Sequence, residues 1–440
     1  MRDFAVTKLS DGRGLSIPLG GGLAAAVTCL LMLTPGITVE PDGWAYWEGS
    51  VSILEGQGYR FFGGQPITDF PPLFSLYLSL IQGVGGVSGR TLAGSLVILA
   101  GAAAFLWCVL LNSLTRIAPH SFLARLAGAL YVAAYIGAYY TSLLSETLFL
   151  ALLPVLYLCL TRIRTDIPDH QIWLWLGASS LVAAALALTR NSAIVFLPGL
   201  ALVVFLRTRP LTIFRRCSLT ALAAGIASGI WCLTRALLGQ TGSHPLALGN
   251  RYSPAEYAQQ FAADLAYRLG PDRWHLGATL LILTLLLIGV VIRLKAANDT
   301  HRDAFHILLV AATAALGLFV LFNVIPMVAD SLSGRFIWYL PLTLITALAT
   351  VTAYSAGPPT RCALFLVLAA VLCVQAQRTG AHVVLRLRTP PRPNVLMNYA
   401  IAPRFVGKAP TSVGSRIVIS PPDYPWIDRS FANRDRTGAR

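Results

Sequence analysis

Residues 39–80 read VEPDGWAYWEGSVSILEGQGYRFFGGQPITDFPPLFSLYLSL, which sets five carboxylates (Glu40, Asp42, Glu48, Glu55 and Asp69) between two strongly apolar segments. A plain connector needs no such content. Asp42 opens a short helical pattern in which Trp44, Trp47, Val51 and Leu54 share one face, and Gly56 and Gly58 end it. The pattern predicts a helix lying on a membrane surface with its tryptophans at headgroup depth. Glu40, Glu48 and Glu55 then fall on solvated faces of the loop.

Outward from this stretch the chain is apolar. Hydrophobic residues make up 55% of the 440 and charged residues only 12%, with a mean hydropathy of +0.65. This composition excludes an ordinary soluble globule and predicts an all-α, multi-span integral membrane protein. The net charge of +15 comes from 34 Lys and Arg lying in short loops and a tail, without the aromatic-interleaved basic face of a nucleic-acid binder. All seven cysteines sit inside apolar runs and none forms a CxxC pair, so they read as small packing residues. The apolar run behind Arg2, Lys8 and Arg13 has the length of an uncleaved first span.

Apolar runs predict spans at 15–36, 91–113, 122–140, 147–161, 172–188, 191–206, 217–238, 276–294, 304–328, 336–354 and 361–377, eleven in all. The segment 71–88 is short and dissolves into glycines, which reads as a re-entrant or surface helix. With it excluded, one set of loops holds 15 cations and the other, mostly longer set holds eight. The positive-inside rule then puts the N-terminus inside and the first long loop, 37–90, outside. A later outer loop, 239–275, carries SPAEYAQQFAADLAYRLGP, with Ser253 as N-cap, Pro254 first in the helix, Glu256 closing a capping box and Gly270-Pro271 as the stop. The transmembrane unit is expected over 1–378. The short tail 379–440 is basic, belongs on the outer side by span count, and contains SRIVISPP, a short strand and turn.

Ionisable residues at span ends are the informative ones, because a charge at mid-membrane costs roughly 2.5–3.5 kcal/mol. Asp42, Glu146 in YYTSLLSETLFLALL, Arg190 in LALTRNSAIVFLPG and Arg335 in SLSGRFIWYLP share the outer side, with Asp69 before Pro71-Pro72 as a fifth. Tyr59 stands near Asp69 in the same loop. His244 has no HxxxH or HxE partner, so it does not read as a metal ligand.

The ordered set of an early loop Asp, A-Y-W-E-G-S-V-S-I-L-E-G-Q-G-Y, PPL, S-E-T-L-F, L-T-R-N and G-R-F-I-W-Y-L-P resembles bacterial polytopic glycosyltransferases of the C superfamily (GT-C). These are related to protein O-mannosyltransferases and to the aminoarabinose transferases that modify lipid A. The resemblance runs from about Ile17 to Pro341 and rests on the order of the motifs. It implies a GT-C-like fold, a polyprenyl-phosphate-linked sugar donor, a lipid, glycan or protein acceptor, inversion at the sugar carbon and a site facing out of the inner (plasma) membrane. Asp42 is followed by Gly43, whereas protein O-mannosyltransferases open this loop with an Asp-Glu pair; Glu40 lies two residues earlier.

Physical chemistry suits those residue types to that reaction. A glycosyl phosphate carries a weakly basic leaving group, so cations that hold the departing phosphate take the place of a general acid. Arginine offers a permanent charge and forked donors, which makes Arg190 and Arg335 the candidate phosphate-binding residues. A carboxylate that accepts the acceptor's hydroxyl proton contributes about 10²–10⁴ in rate. Asp42 is the candidate base, Glu146 its support, and Asp69 and Tyr59 candidate substrate contacts. No cofactor or metal is expected. Each residue also has a structural reading: Asp42 and Glu146 as helix caps, Arg190 and Arg335 as cations snorkelling to headgroups. The rival functions are a transporter or flippase of a lipid-linked sugar, whose paired interrupted spans are not found here, and a non-catalytic scaffold on the same fold.

Overall fold

The computed structural model describes residues 13–34, 36–37, 41–61, 64–68, 70–115, 118, 121–165, 167–239, 253–269, 299–324, 337–355, 357–388, 412–413 and 416–417. They form helices α1 (Arg13–Met32), α2 (Pro41–Leu54), α3 (Leu73–Gly85), α4 (Gly89–Thr115), α5 (Ser121–Tyr139), α6 (Glu146–Arg162) and α7 (Asp169–Thr189). A short 3₁₀ helix (Asn191–Phe196) leads into α8 (Leu197–Arg207), followed by α9 (Ile213–Leu237), α10 (Pro254–Leu269), α11 (Asp299–Val324), α12 (Tyr339–Tyr354) and α13 (Pro358–Arg388). Two antiparallel two-residue strands, β1 (Ser412–Val413) and β2 (Arg416–Ile417), follow, of which β2 falls within the expected strand; the expected turn at 421–422 lies outside the described residues.

Seven of the described helices (α1, α4, α5, α7, α9, α11 and α13) are long and apolar enough to cross a membrane, and the chain is a multi-pass membrane protein. Helices at 146–162, 191–207 and 339–354 coincide with three more expected spans but are shorter, while the run 276–294 lies outside the described residues. At 13 residues, α3 extends about 20 Å, short of a hydrocarbon core of about 30 Å, as its glycine-rich end suggests. The last helix continues to Arg388, past the expected end of the transmembrane unit at 378. Its extra turns still have a packing surface: Thr379 is 8% exposed and its hydroxyl donates to the Ala134 carbonyl of α5 at 3.2 Å.

Small residues hold the first bundle together. A Cβ on Gly22 of α1 would come within 2.9 Å of the Gly101 carbonyl oxygen of α4, and one on Gly137 of α5 within 2.9 Å of the Ala25 carbonyl oxygen. Backbones that approach this closely replace hydrophobic burial as the source of helix association in lipid. At one end of the molecule Asp303 of α11 pairs with Arg207 at the end of α8 and, at 3.4 Å, with Arg164 just beyond α6. Arg207 also donates to the carbonyls of Thr161 and Ile163, both at 3.4 Å. Glu146 and Arg190 lie at the opposite ends of α6 and of the 3₁₀–α8 pair, so α6, α8 and α11 are tied at one end and carry the candidate residues at the other.

Helix α2 forms as expected, and Trp47 on the expected face is buried within the protein. Trp47 is 2% exposed and donates to Gln82 of α3 at 3.2 Å, and Gln82 donates to Ser50 at 2.7 Å. Glu48 is a correction: it is fully buried and accepts from the Trp44 indole. Helix α3 folds back onto α2 and covers Trp47, Tyr46 and Ser50.

Helix α10 starts as its capping box dictates, and the expected stop at Gly270-Pro271 lies outside the described residues. The Ser253 N–H donates to Glu256 Oε2 at 2.6 Å and the Glu256 N–H to Ser253 Oγ at 3.3 Å, the reciprocal pair of a capping box. Tyr257 and Leu265 turn inward, and Phe261 is half-buried against the core.

Candidate functional site

Two breaks in the helical chain and the start of α2 build the site. The first break, Tyr140–Ser145, leads into α6, whose first residue is Glu146. Buried bonds brace it: Tyr140 donates its hydroxyl to the Thr147 carbonyl at 2.6 Å, and the Cys29 thiol of α1 donates to the Tyr140 carbonyl at 3.3 Å. The second break is at Arg190, whose N–H closes α7 on the Leu186 carbonyl at 3.0 Å before its extended backbone hands over to the 3₁₀ helix. Pro198 then fixes the first turn of α8.

These breaks bring Glu146 and Arg190 into an ion pair, with side chains 4% and 12% exposed. The pairing turns both away from the lipid-facing and helix-capping readings. Glu146 also accepts from the Ser145 hydroxyl at 3.3 Å, and the Ser145 side chain lies near the phenol of Tyr46 on α2. Burial pushes the Tyr46 phenol above its usual range, and Ser145 and the Arg190 charge oppose that shift, while the charges of Glu146 and Asp42 add to it. Tyr46 therefore senses Asp42, Glu146 and Arg190 together.

Asp42 is the second residue of α2, after Pro41, in the first turn and partly exposed. A carboxylate there complements the helix dipole. The next residue, Gly43, lies against the Leu143 carbonyl of the first break: a Cβ would meet that oxygen at 2.1 Å. Only glycine fits, so the side chain of a second acidic residue at this position has no room.

Tyr59 is buried; its hydroxyl donates to the carbonyls of Phe70 at 3.2 Å and Pro71 at 3.3 Å, and its ring fills the space over Gly49. Those bonds pin the loop on α2. Asp69 and Arg335 lie outside the described residues, as do Glu40 and His244.

Arg190 also faces a cleft of about 290 Å³, mouth included, with Phe149, Phe196, Leu318, Trp338 and Tyr339 among its walls. The floor is packed aromatic on aromatic, Phe196 against Tyr339 at 4.9 Å and against Phe149 at 5.5 Å between ring centres. The Tyr339 hydroxyl and Trp338 Nε1 are buried without a hydrogen-bond partner among the described residues. Both lie in the GRFIWYLP motif, where only Arg335 stood out as a charge. Arg268 of α10, read in the sequence as one more loop cation, is 5% exposed; it donates to the Tyr135 hydroxyl at 3.0 Å and lies 5.0 Å from the Tyr139 ring centre and 5.9 Å from that of Trp338. Among the described residues no three His, Cys, Asp or Glu side chains gather to hold a metal ion.

No family profile matches the chain, and no curated protein matches it by sequence. Solved structures do. The chain is similar to ArnT from Cupriavidus metallidurans in the apo state (15% identity over 83% of this chain and 75% of ArnT, TM-score 0.50). It is similar to the arabinosyltransferase EmbB from Mycobacterium smegmatis (13% identity, 84% of this chain and 40% of EmbB, TM-score 0.51). It is also similar to the apo oligosaccharyltransferase of Archaeoglobus fulgidus (12% identity, 88% of this chain and 57% of that one, TM-score 0.51). At these identities the likeness is one of fold, and the chain spans well under two thirds of the latter two proteins.

Proposed function

We propose, from a fold shared with the solved transferases it is similar to, that the chain is a membrane glycosyltransferase of the polytopic GT-C type, moving a sugar from a polyprenyl-phosphate-linked donor to a lipid, glycan or protein acceptor. One observation carries the reading: Arg190, oriented by the buried Glu146, stands in the wall of an aromatic cleft at the same end of the molecule as Asp42. A guanidinium presents its N–H donors in a planar fork that suits a phosphate as well as a carboxylate.

In the proposed reaction the acceptor oxygen attacks the anomeric carbon as the carbon–oxygen bond to phosphate breaks. Polyprenyl phosphate leaves with the bonding electron pair, and the acceptor's hydroxyl proton passes to Asp42, giving inversion in a single displacement. Arg190 stabilises the charge growing on the departing phosphate. Glu146 holds the guanidinium in place, so its contribution is orientation.

The test is incubation of membranes containing the protein with radiolabelled polyprenyl-phosphate sugars. Release of polyprenyl phosphate with label passing to an acceptor supports the proposal. Movement of intact donor across the bilayer without cleavage replaces it with the transporter reading.

A further inference from the structure

The end of the molecule away from Arg190 gathers more positive charge than the side chains around it balance. Asp303 pairs with both Arg207 and Arg164, and the charges of Arg164 and Arg302 both act on the Arg207 guanidinium. Three guanidinium groups therefore surround one carboxylate. Arg207 and Asp303 are largely buried, with side chains 6% and 9% exposed, whereas Arg164 is 36% exposed and Arg302 is on the surface. His306, one turn past Arg302 and 4% exposed, brings no negative charge. Nor does the adjoining chain restore the balance: residues 162–169, 207–216 and 293–303 hold nine Lys and Arg against four Asp.

Depth and surroundings narrow the counter-ion. The apolar stretch of α11 that is long enough to cross a membrane begins at Arg302, which puts the cluster at the level of the lipid headgroups. The start of α9 is fastened to the same end of α8 by Arg216, which lies 3.8 Å from the Phe205 ring centre and donates to the Phe205 carbonyl at 3.0 Å. There Ile213 and Phe214 are 62% and 81% exposed. Side chains of that kind are costly in water and at home against acyl chains. Surface cations at headgroup depth beside exposed apolar side chains fit a molecule that carries both a phosphate and acyl chains, and the planar fork of arginine matches the phosphate. We infer that Arg164 and Arg302 hold the headgroup of an anionic phospholipid, standing on the buried Asp303–Arg207 pair. This site is at the opposite end from Glu146 and Arg190, and its occupation does not depend on the reaction proposed there.

The test uses the full chain in phosphatidylcholine nanodiscs, with and without phosphatidylglycerol, and reads the melting temperature and, by native mass spectrometry, the lipid retained. The wild-type protein is expected to melt higher with phosphatidylglycerol and to retain it in preference to phosphatidylcholine. Arg164→Gln/Arg302→Gln is expected to weaken that retention about thirtyfold. Arg302→Gln alone leaves both ion pairs of Asp303 in place, so it tests the site in a protein whose cluster is intact, with an expected loss of about fivefold. Arg162→Gln/Arg209→Gln removes two other exposed cations and is expected to keep the wild-type preference. Equal losses in the two double variants overturn the inference, because the attraction is then diffuse. Unchanged retention in Arg302→Gln overturns it as well. Inorganic phosphate that raises the melting temperature in phosphatidylcholine nanodiscs as far as phosphatidylglycerol does also overturns it, in favour of a free anion.

Discussion

Gly43 and the carbonyl oxygen of Leu143 are in such close contact that a Cβ on Gly43 would lie 2.1 Å from that oxygen. This contact joins the start of α2 to the segment that precedes Glu146, and it sets where Asp42 stands. Gly43→Ala must push α2 off its seat. The expected outcome is a loss of about 1–3 kcal/mol of stability from overpacking, together with loss of sugar transfer because Asp42 moves with the helix. Thermal unfolding in detergent and a transfer assay on the same preparation check both parts.

Asp42→Asn keeps shape and removes the base. Transfer is expected to fall by about 10²–10⁴ with expression and melting temperature unaltered, since the residue is partly exposed in the first turn of α2. Wild-type turnover by this variant would remove Asp42 from the mechanism.

The Glu146–Arg190 pair is largely buried, with side chains 4% and 12% exposed. Removing one partner, as in Glu146→Gln, leaves a charge without its counter-ion and is expected to cost about 3–5 kcal/mol. The double variant Glu146→Gln/Arg190→Met removes both charges and is expected to recover most of that stability. It should not recover transfer, because the phosphate has then lost its cation. A double-mutant cycle read by unfolding, with activity measured in parallel, separates the two roles.

Glu48 is fully buried and takes the Trp44 indole N–H. Trp44→Phe removes a hydrogen bond to a charged group, worth about 1.5–3 kcal/mol, and is expected to loosen α2 against α3. Hydrogen exchange of the α2 amides is the direct measurement, with protection lost there before the long helices are affected.

The capping box of α10 gives a pH dependence. The Ser253 backbone N–H and its hydroxyl hold the Glu256 carboxyl below its ordinary value. A carboxylate whose folded-state pKa is depressed adds stability above its unfolded pKa and loses it as pH falls through the folded value. Amide exchange at the first turn of α10 is therefore expected to rise on acidification across that window. Glu256→Gln should flatten the dependence.

Much of this molecule was legible one segment at a time. Helices follow from runs of apolar residues because a lipid environment obliges the backbone to satisfy its own hydrogen bonds. The capping box that starts α10 and the glycine stop of α2 are local chemistry within a few residues of chain. Asp42, Glu146 and Arg190 stood out because ionisable groups at the ends of apolar spans are costly and few. The order of those motifs pointed to the fold that the chain shares with the solved structures it is similar to.

Only tertiary structure decided which of these groups meet. Glu146 and Arg190 are 44 residues apart and pair because two helix breaks come level. Trp47 is buried against α3, and Gly43 is required by a carbonyl 100 residues away. Tyr339 and Trp338 carry no charge to draw attention in a sequence. Among the described residues the Tyr339 hydroxyl and Trp338 Nε1 are buried without a partner, a property of the space around a side chain. Such contacts depend on how helices pack across long separations, where no periodicity or local spacing records them.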